Sequence, residues 1–140
     1  MAVVSGVLFT WEDSLSVNIS VIDMQHKKLV SMLNELHQAM MEGSSKEKLG
    51  TILSNLVGYT RGHFTTEERL MRTRAYPDFL AHKSEHDHLT EKVMDLQRRF
   101  RSNEVRLTIE VMEFLKDWLR DHILGSDKKY SPFLNAKGVH

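Results

Sequence analysis

From residue 22 onward the apolar residues of this chain recur at alternating spacings of three and four. That rhythm defines an amphipathic helix with one face turned inward. The first run is Ile22, His26, Leu29, Leu33, Leu36 and Met40. It stops at Gly43-Ser44-Ser45, where Ser44 and Glu47 have the spacing of a capping box for the next helix. The second run is Leu49, Leu53, Leu56, Thr60, His63, Glu67 and Leu70, and it fades before Tyr76-Pro77. Proline suits a first helical turn and Asp78 favours the N-terminal dipole, so a third helix is predicted to begin there. Its run is Phe79, His82, His86, Leu89, Val93, Leu96 and Phe100, closed by the polar Arg101-Ser102-Asn103. A fourth follows as Val105, Thr108, Met112, Leu115, Leu119 and His122, with Gly125 as its predicted stop.

Four helices of about 20 residues with short connections predict an all-α fold, an up-down-up-down four-helix bundle over residues 22–125. Residues 1–21 carry Phe9, Trp11, Val17 and Ile19 and read as an N-terminal arm laid over the bundle. Residues 126–140 carry Tyr130, Pro132, Phe133 and Leu134 and read as a short docked C-terminal segment. A chain of 140 residues is expected to be a single domain with a core that needs no disulfide.

The polar residues on the inner faces carry the functional signal. The chain has eight histidines, and five of them, His26, His63, His82, His86 and His122, occupy core positions together with Glu67. A buried polar side chain must find a partner. His26 and the pair His82 and His86 lie near the starts of odd helices, whereas His63, Glu67 and His122 lie near the ends of even ones. In an antiparallel bundle those starts and ends share one level, so all six converge. His63 with Glu67, and His82 with His86, are four apart and therefore present one helix face. Asp127, five beyond His122, would point away on a continuous helix, but a chain leaving the helix at Gly125 could swing it back over the site.

Five imidazoles and two carboxylates are too many for one tetrahedral zinc and suit two metals. If both carboxylates bridge, one metal takes three imidazoles and the other two. The shortfall is where a small ligand would enter. Imidazole with carboxylate suits iron, zinc or manganese.

Composition removes the competing classes. Lysine plus arginine balance aspartate plus glutamate at 19 each, with no basic or acidic block, so neither nucleic acid nor an anionic membrane is an expected partner. The absence of cysteine excludes thiolate zinc, iron-sulfur clusters and thiol nucleophiles, and fits a reducing compartment. The N-terminus does not read as a secretory signal, and no window approaches the ~18 apolar residues of a membrane span. A soluble, cytoplasmic protein is expected.

His82-Lys83-Ser84-Glu85-His86 also spells H-x-x-E-H, the order of two zinc ligands and a general base in one metalloprotease class. The seam turns residues 82, 86 and 89 inward and puts Glu85 about a third of a turn away. That reading also leaves the other inward ligands unexplained. Glu85 is therefore given no role.

Taken together, these residues resemble the hemerythrin family over nearly the whole chain. The matching stretches are Trp11, Ile22-Asp23-Met24-Gln25-His26-Lys27-Lys28-Leu29, His63-Phe64-Thr65-Thr66-Glu67-Glu68, His82-Lys83-Ser84-Glu85-His86, and Trp118-Leu119-Arg120-Asp121-His122-Ile123 leading to Asp127. The resemblance implies two non-haem iron ions with a bridging oxo or hydroxo group, and reversible O2 binding for transport, storage or delivery. His82, His86 and His122 would hold the coordinatively full iron, His26 and His63 the open one, and Glu67 and Asp127 would bridge. Delivery would make an O2-consuming enzyme the protein partner. The alternatives are a diiron O2 sensor or a peroxidase or oxidase; histidine-rich ligation favours the carrier over an enzyme.

Trp118, Leu119 and Ile123 are candidates for a dry O2 pocket, with bland core packing an equal reading for each. Asp23 either orients a ligand imidazole or is a solvated helix-start carboxylate. The role of Tyr130 is left open. His37, His88 and His140 are expected at the surface.

Overall fold

The expected rhythm becomes helix wherever the chain can also cap it. In a computed structural model, which describes residues 7–140, the long helices are α1 (Ser20–Met41), α2 (Lys46–Thr73), α3 (Phe79–Arg101) and α4 (Ile109–His122). A shorter α5 (Lys128–Ala136) follows. The first six residues of the expected N-terminal arm lie outside the described residues. The fold is an all-α four-helix bundle: α2 packs along both α1 and α3, and α4 against α1.

The buried positions follow the seams. Ile22, Leu36, Met71 and Met112 are wholly inaccessible, and Leu53 nearly so. Full burial of such a side chain stabilises the fold by about 1.5–3 kcal/mol. α1 buries a wider face than the seam alone, because Val30 and His37 form a second stripe around Asn34. There Asn34 pins the arm, with its Oδ1 accepting from Leu8 N and Phe9 N at 3.0 and 2.9 Å and its Nδ2 donating to Phe9 O at 2.7 Å. His37 is thus buried, contrary to its expected surface place, whereas His88 and His140 are exposed.

Several boundaries differ from those expected. The cap of α2 is Ser45, whose Oγ accepts from Lys48 N at 3.2 Å, and not Ser44. α4 starts after Thr108, whose hydroxyl accepts from Val111 N at 3.2 Å, so Val105 belongs to the preceding connection. Asp78 precedes α3 but makes no side-chain cap bond.

Gly125 does not stop the fourth helix. Residues Ile123–Asp127 form a single π-helical turn, in which Lys128 N donates to Ile123 O, and the chain runs directly on into α5. The C-terminal segment is consequently helical. One of the expected stops does act as read. Gly43 takes φ +71°, its N–H donates to Met40 O, and the next N–H reaches back to Ala39 O.

The same two-bond closure ends α2 at Ala75, with φ +58° and bonds from Ala75 N to Arg72 O and Tyr76 N to Met71 O. A left-handed backbone costs an alanine about 1 kcal/mol that a glycine does not incur. Ala75 is exposed, so its methyl contributes little packing. Ala75→Gly is expected to stabilise the protein by about 1 kcal/mol, raising Tm by ~3–6 °C in a thermal melt. An unchanged or lowered Tm would show that the closure is not strained.

Candidate metal centre

Seven side chains from α1, α2, α3, α4 and the π turn meet at one level of the bundle. His26, His63, Glu67, His82, His86, His122 and Asp127 are all buried, with His26 and Asp127 at 0% exposure. The ends of α2 and α4 and the starts of α1 and α3 bring six of them together. Asp127 arrives by the π turn. Five residues along an α-helix rotate a side chain about 140° out of line, whereas a turn closed by i to i+5 bonds brings residue five back over residue zero. Asp127 Oδ1 accordingly lies 3.1 Å from His122 Nε2.

Most of the converging atoms make no hydrogen bond to one another. His26 Nε2 is 3.0 Å from Asp127 Oδ2, His82 Nε2 is 3.0 Å from Asp127 Oδ1, and His63 Nε2 is 3.1 Å from Glu67 Oε1. His86 Nε2 lies 3.3 Å from Glu67 Oε1 and 3.2 Å from His122 Nε2. Yet both oxygens of Asp127, Glu67 Oε1, both nitrogens of His26, His82 Nε2 and His122 Nδ1 have no hydrogen-bond partner. Buried polar atoms left this way are rare in proteins. Lone pairs aimed at a shared point instead of at each other are what a cation site requires, so the residues fit a metal.

Two overlapping groups of potential ligand atoms lie within 4.8 Å of one another among the described residues. One comprises Glu67, His82, His86, His122 and Asp127; the other comprises His26, His63, Glu67 and Asp127. Both carboxylates fall in both groups.

The electrostatics demand positive charge. Burial, and the neighbouring Asp127, disfavour the Glu67 carboxylate, but the His63 and His86 imidazoles together hold it well below the usual range. Burial likewise works against Asp127, which His122 and its other histidine neighbours hold well below the ordinary value. His122 is the counterpart: burial opposes its charge, yet Asp127, Glu67 and Glu85 push it up to about 9.

A ring of outer partners orients the ligand side chains, and the sequence reading had missed it. Gln25 Oε1 lies 2.7 Å from His63 Nδ1, Glu68 Oε2 lies 2.8 Å from His86 Nδ1, and Glu85 Oε1 lies 3.4 Å from His122 Nδ1. Ser126 in the π turn donates to Glu85 Oε1 at 2.7 Å and holds it there. Glu85 thus stands at ion-pair distance from His122 without a hydrogen bond to it. The Tyr130 hydroxyl donates a short hydrogen bond to Glu67 Oε2, and burial beside two carboxylates raises its pKa well above the ordinary value.

Asp23 is a helix-start carboxylate, as one reading had it, but a half-buried one that accepts from Val17 N at 2.9 Å and Ser16 Oγ at 2.5 Å at the foot of the arm. Gln25 and Glu68 adjoin ligands in sequence, which is the one signal that pointed to them. Of the pocket candidates, Trp118 stacks on His122 with centroids 4.7 Å apart, Leu119 lines an apolar cavity beneath the ligands, and Ile123 is wholly buried in the π turn.

The fold and the cluster define a metal-binding four-helix-bundle protein. The family model described as the hemerythrin HHE cation binding domain matches residues 17–134. A bacteriohemerythrin of Methylococcus capsulatus is 38% identical over 130 residues, covering 92% of this chain and 98% of the relative. One from Stenotrophomonas maltophilia is 36% identical, covering 92% and 83%. The crystal structure of a wild-type hemerythrin matches with a TM-score of 0.87 at 38% identity, covering 91% of this chain and 98% of that one. The chain belongs to the hemerythrin family.

Outer partners of metal-bound histidines typically matter by about 10- to 100-fold in metal affinity. Gln25→Leu is expected to weaken iron binding by about 10-fold or more in competition with a chelator. Wild-type affinity in that variant would show that the Gln25 contact does not orient His63.

Proposed function

We propose that the chain binds O2 reversibly at two non-haem iron ions held by His26, His63, Glu67, His82, His86, His122 and Asp127, with a bridging oxo or hydroxo group between them. The observation that carries this reading is the membership of Glu67 and Asp127 in both ligand groups. Two carboxylates shared between two sets of imidazoles suit a pair of metals better than one. When bound, the irons supply redox chemistry, each able to lend one electron to a small ligand and recover it.

The protein's own residues set the rest. His82, His86 and His122 serve one metal and His26 and His63 the other, so the two-imidazole side is a protein ligand short and is left to the incoming molecule. Tyr130 fixes the orientation of Glu67 through their hydrogen bond, and Gln25 and Glu68 fix the His63 and His86 rings. Beneath the ligands lie Leu29, Phe64, Leu89 and Leu119. An apolar floor withholds water and protons from the site and so favours release of O2 unchanged over its reduction. No residue is assigned a catalytic role on this reading.

The chain acts as a single domain, and its task is carriage, storage or delivery of O2. Among the described residues no helix is long and apolar enough to cross a membrane. The cysteine-free composition fits a cytoplasmic setting.

Iron content and the visible spectrum test the proposal. Two irons per chain, with a charge-transfer band that appears in air and disappears when O2 is removed, are expected of reduced protein. Zinc, a single metal per chain, or irreversible bleaching would overturn it. Leu119→Ala, which removes one wall of the floor, is expected to speed decay of the oxygenated form by roughly tenfold by admitting water. An unchanged decay rate would remove Leu119 from the barrier.

A further inference from the structure

Below the ligand level the bundle interior is not filled. A cavity of about 40 Å³ is lined by Leu29, Thr60, Leu89 and Leu119, each three residues along its helix from a ligand histidine. It continues past Leu33, Leu56, Val93 and Leu115, each seven residues along. At 1.5 Å per residue these side chains run from about 5 Å to about 10 Å beneath the imidazoles. Its lining is apolar except for Thr60, whose hydroxyl donates to Leu56 O at 2.7 Å and is thereby satisfied. Such a space favours small apolar molecules over water.

The cavity has a side exit. Val93, Leu96 and Leu115 line it and also line a surface groove between α3 and α4, completed by Lys92, Glu110, Val111 and Phe114. α3 and α4 approach each other more sparsely than α2 approaches either of its neighbours. Across the groove Lys92 reaches from α3 to lie 5.5 Å from the ring centroid of Phe114 on α4, and that ring is 45% exposed. An exposed cation–aromatic contact is weak, and surface side chains reorient within nanoseconds, so the pair can open and close rapidly.

Among the described residues, the metal end is packed where α5 crosses it. Asp127 and Tyr130 are wholly buried there, Ser126 is tied to Glu85, and Ser131 donates to Val17 O at 2.6 Å, closing α5 against the arm.

We propose that the α3–α4 groove is the entrance through which a small apolar ligand reaches the metal centre, with Lys92 and Phe114 as its gate and Val93, Leu96 and Leu115 as its throat. The ligand is O2, so the proposal rests on the carrier reading. The gate narrows the mouth against bulk water while admitting a gas that sheds its hydration water at little cost.

An entrance alters rates in both directions and leaves equilibrium affinity alone. In iron-loaded protein, Leu96→Trp is expected to slow O2 association and dissociation together by roughly tenfold, and Phe114→Ala to speed both, with Kd unchanged. Val111→Trp plugs the mouth from a half-buried position and serves where Leu96→Trp does not fold with full iron content. A second measurement, xenon binding by iron-loaded protein followed by xenon NMR, reports access without using O2 chemistry. Slower xenon exchange in the plugged variant is expected. If O2 binds while neither rates nor xenon exchange respond to the plug, the entrance is overturned and the carrier reading stands. If wild-type protein binds no O2 but the plug still slows xenon, the carrier reading fails and the entrance stands for apolar ligands generally.

Discussion

Two carboxylates and five imidazoles buried at one depth of a helical bundle are consistent with folding only around positive charge. Glu67 and Asp127 are essentially inaccessible, and isolated carboxylates in such surroundings would take up protons and lose their charge. Here they do the opposite. Neighbouring imidazoles hold both in their charged forms, while Asp127 pushes His122 up to about 9 despite its burial. The core is built for a cation, and other peculiarities of the chain follow from delivering ligands to it. The π turn is the clearest case: it gives up regular helical bonding over Ile123–Asp127 in exchange for one carboxylate placed over His122.

The periphery is organised around the same demand. α5 carries Tyr130 to Glu67, and α5 is held in turn by the arm, with Ser131 bonded to Val17 O and Asn135 Nδ2 to Asn18 O at 3.1 Å. Asp23 closes the foot of that arm through Val17 N, and Tyr76 packs edge-on to Tyr130 from the end of α2. Segments far apart in sequence thus determine where the Glu67 carboxylate, shared by both ligand groups, points. The arm and α5 belong to the metal centre mechanically, although neither supplies a histidine.

Helical periodicity made the bundle and the shared level of six inward residues legible, because spacing of three and four fixes a face and chain direction fixes a height. Features that depend on the backbone departing from that periodicity were not legible. Gly125 has the form of a helix stop, and nothing in Ile123-Leu124-Gly125-Ser126-Asp127 distinguishes a stop from a π turn, which is selected by what Asp127 must reach. The contact of Glu85 was hidden for a related reason. On an isolated helix it points off the seam, but the π turn brings Ser126 up against that flank, where its hydroxyl donates to the exposed Glu85 carboxylate. His37 was misjudged because the seam describes only helix–helix burial, and the stripe around Asn34 is the one to which the arm is pinned.

The same periodicity also decides which side of the metal level is dry. Counting three and seven residues away from the ligand histidines, toward the bundle centre, gives Leu29, Leu89, Leu119, Leu33, Leu56, Val93 and Leu115, with Thr60 the one polar residue and its hydroxyl already satisfied. The residues beside the outer imidazole nitrogens, Gln25, Glu68 and Glu85, are instead polar and partly or wholly exposed, toward the bundle surface. Polar partners outside and apolar side chains beneath give the centre two faces of opposite character. A charged cluster is thereby stabilised from outside while the space beneath it is lined almost wholly by apolar side chains that disfavour water, the condition a reversible gas-binding site must satisfy.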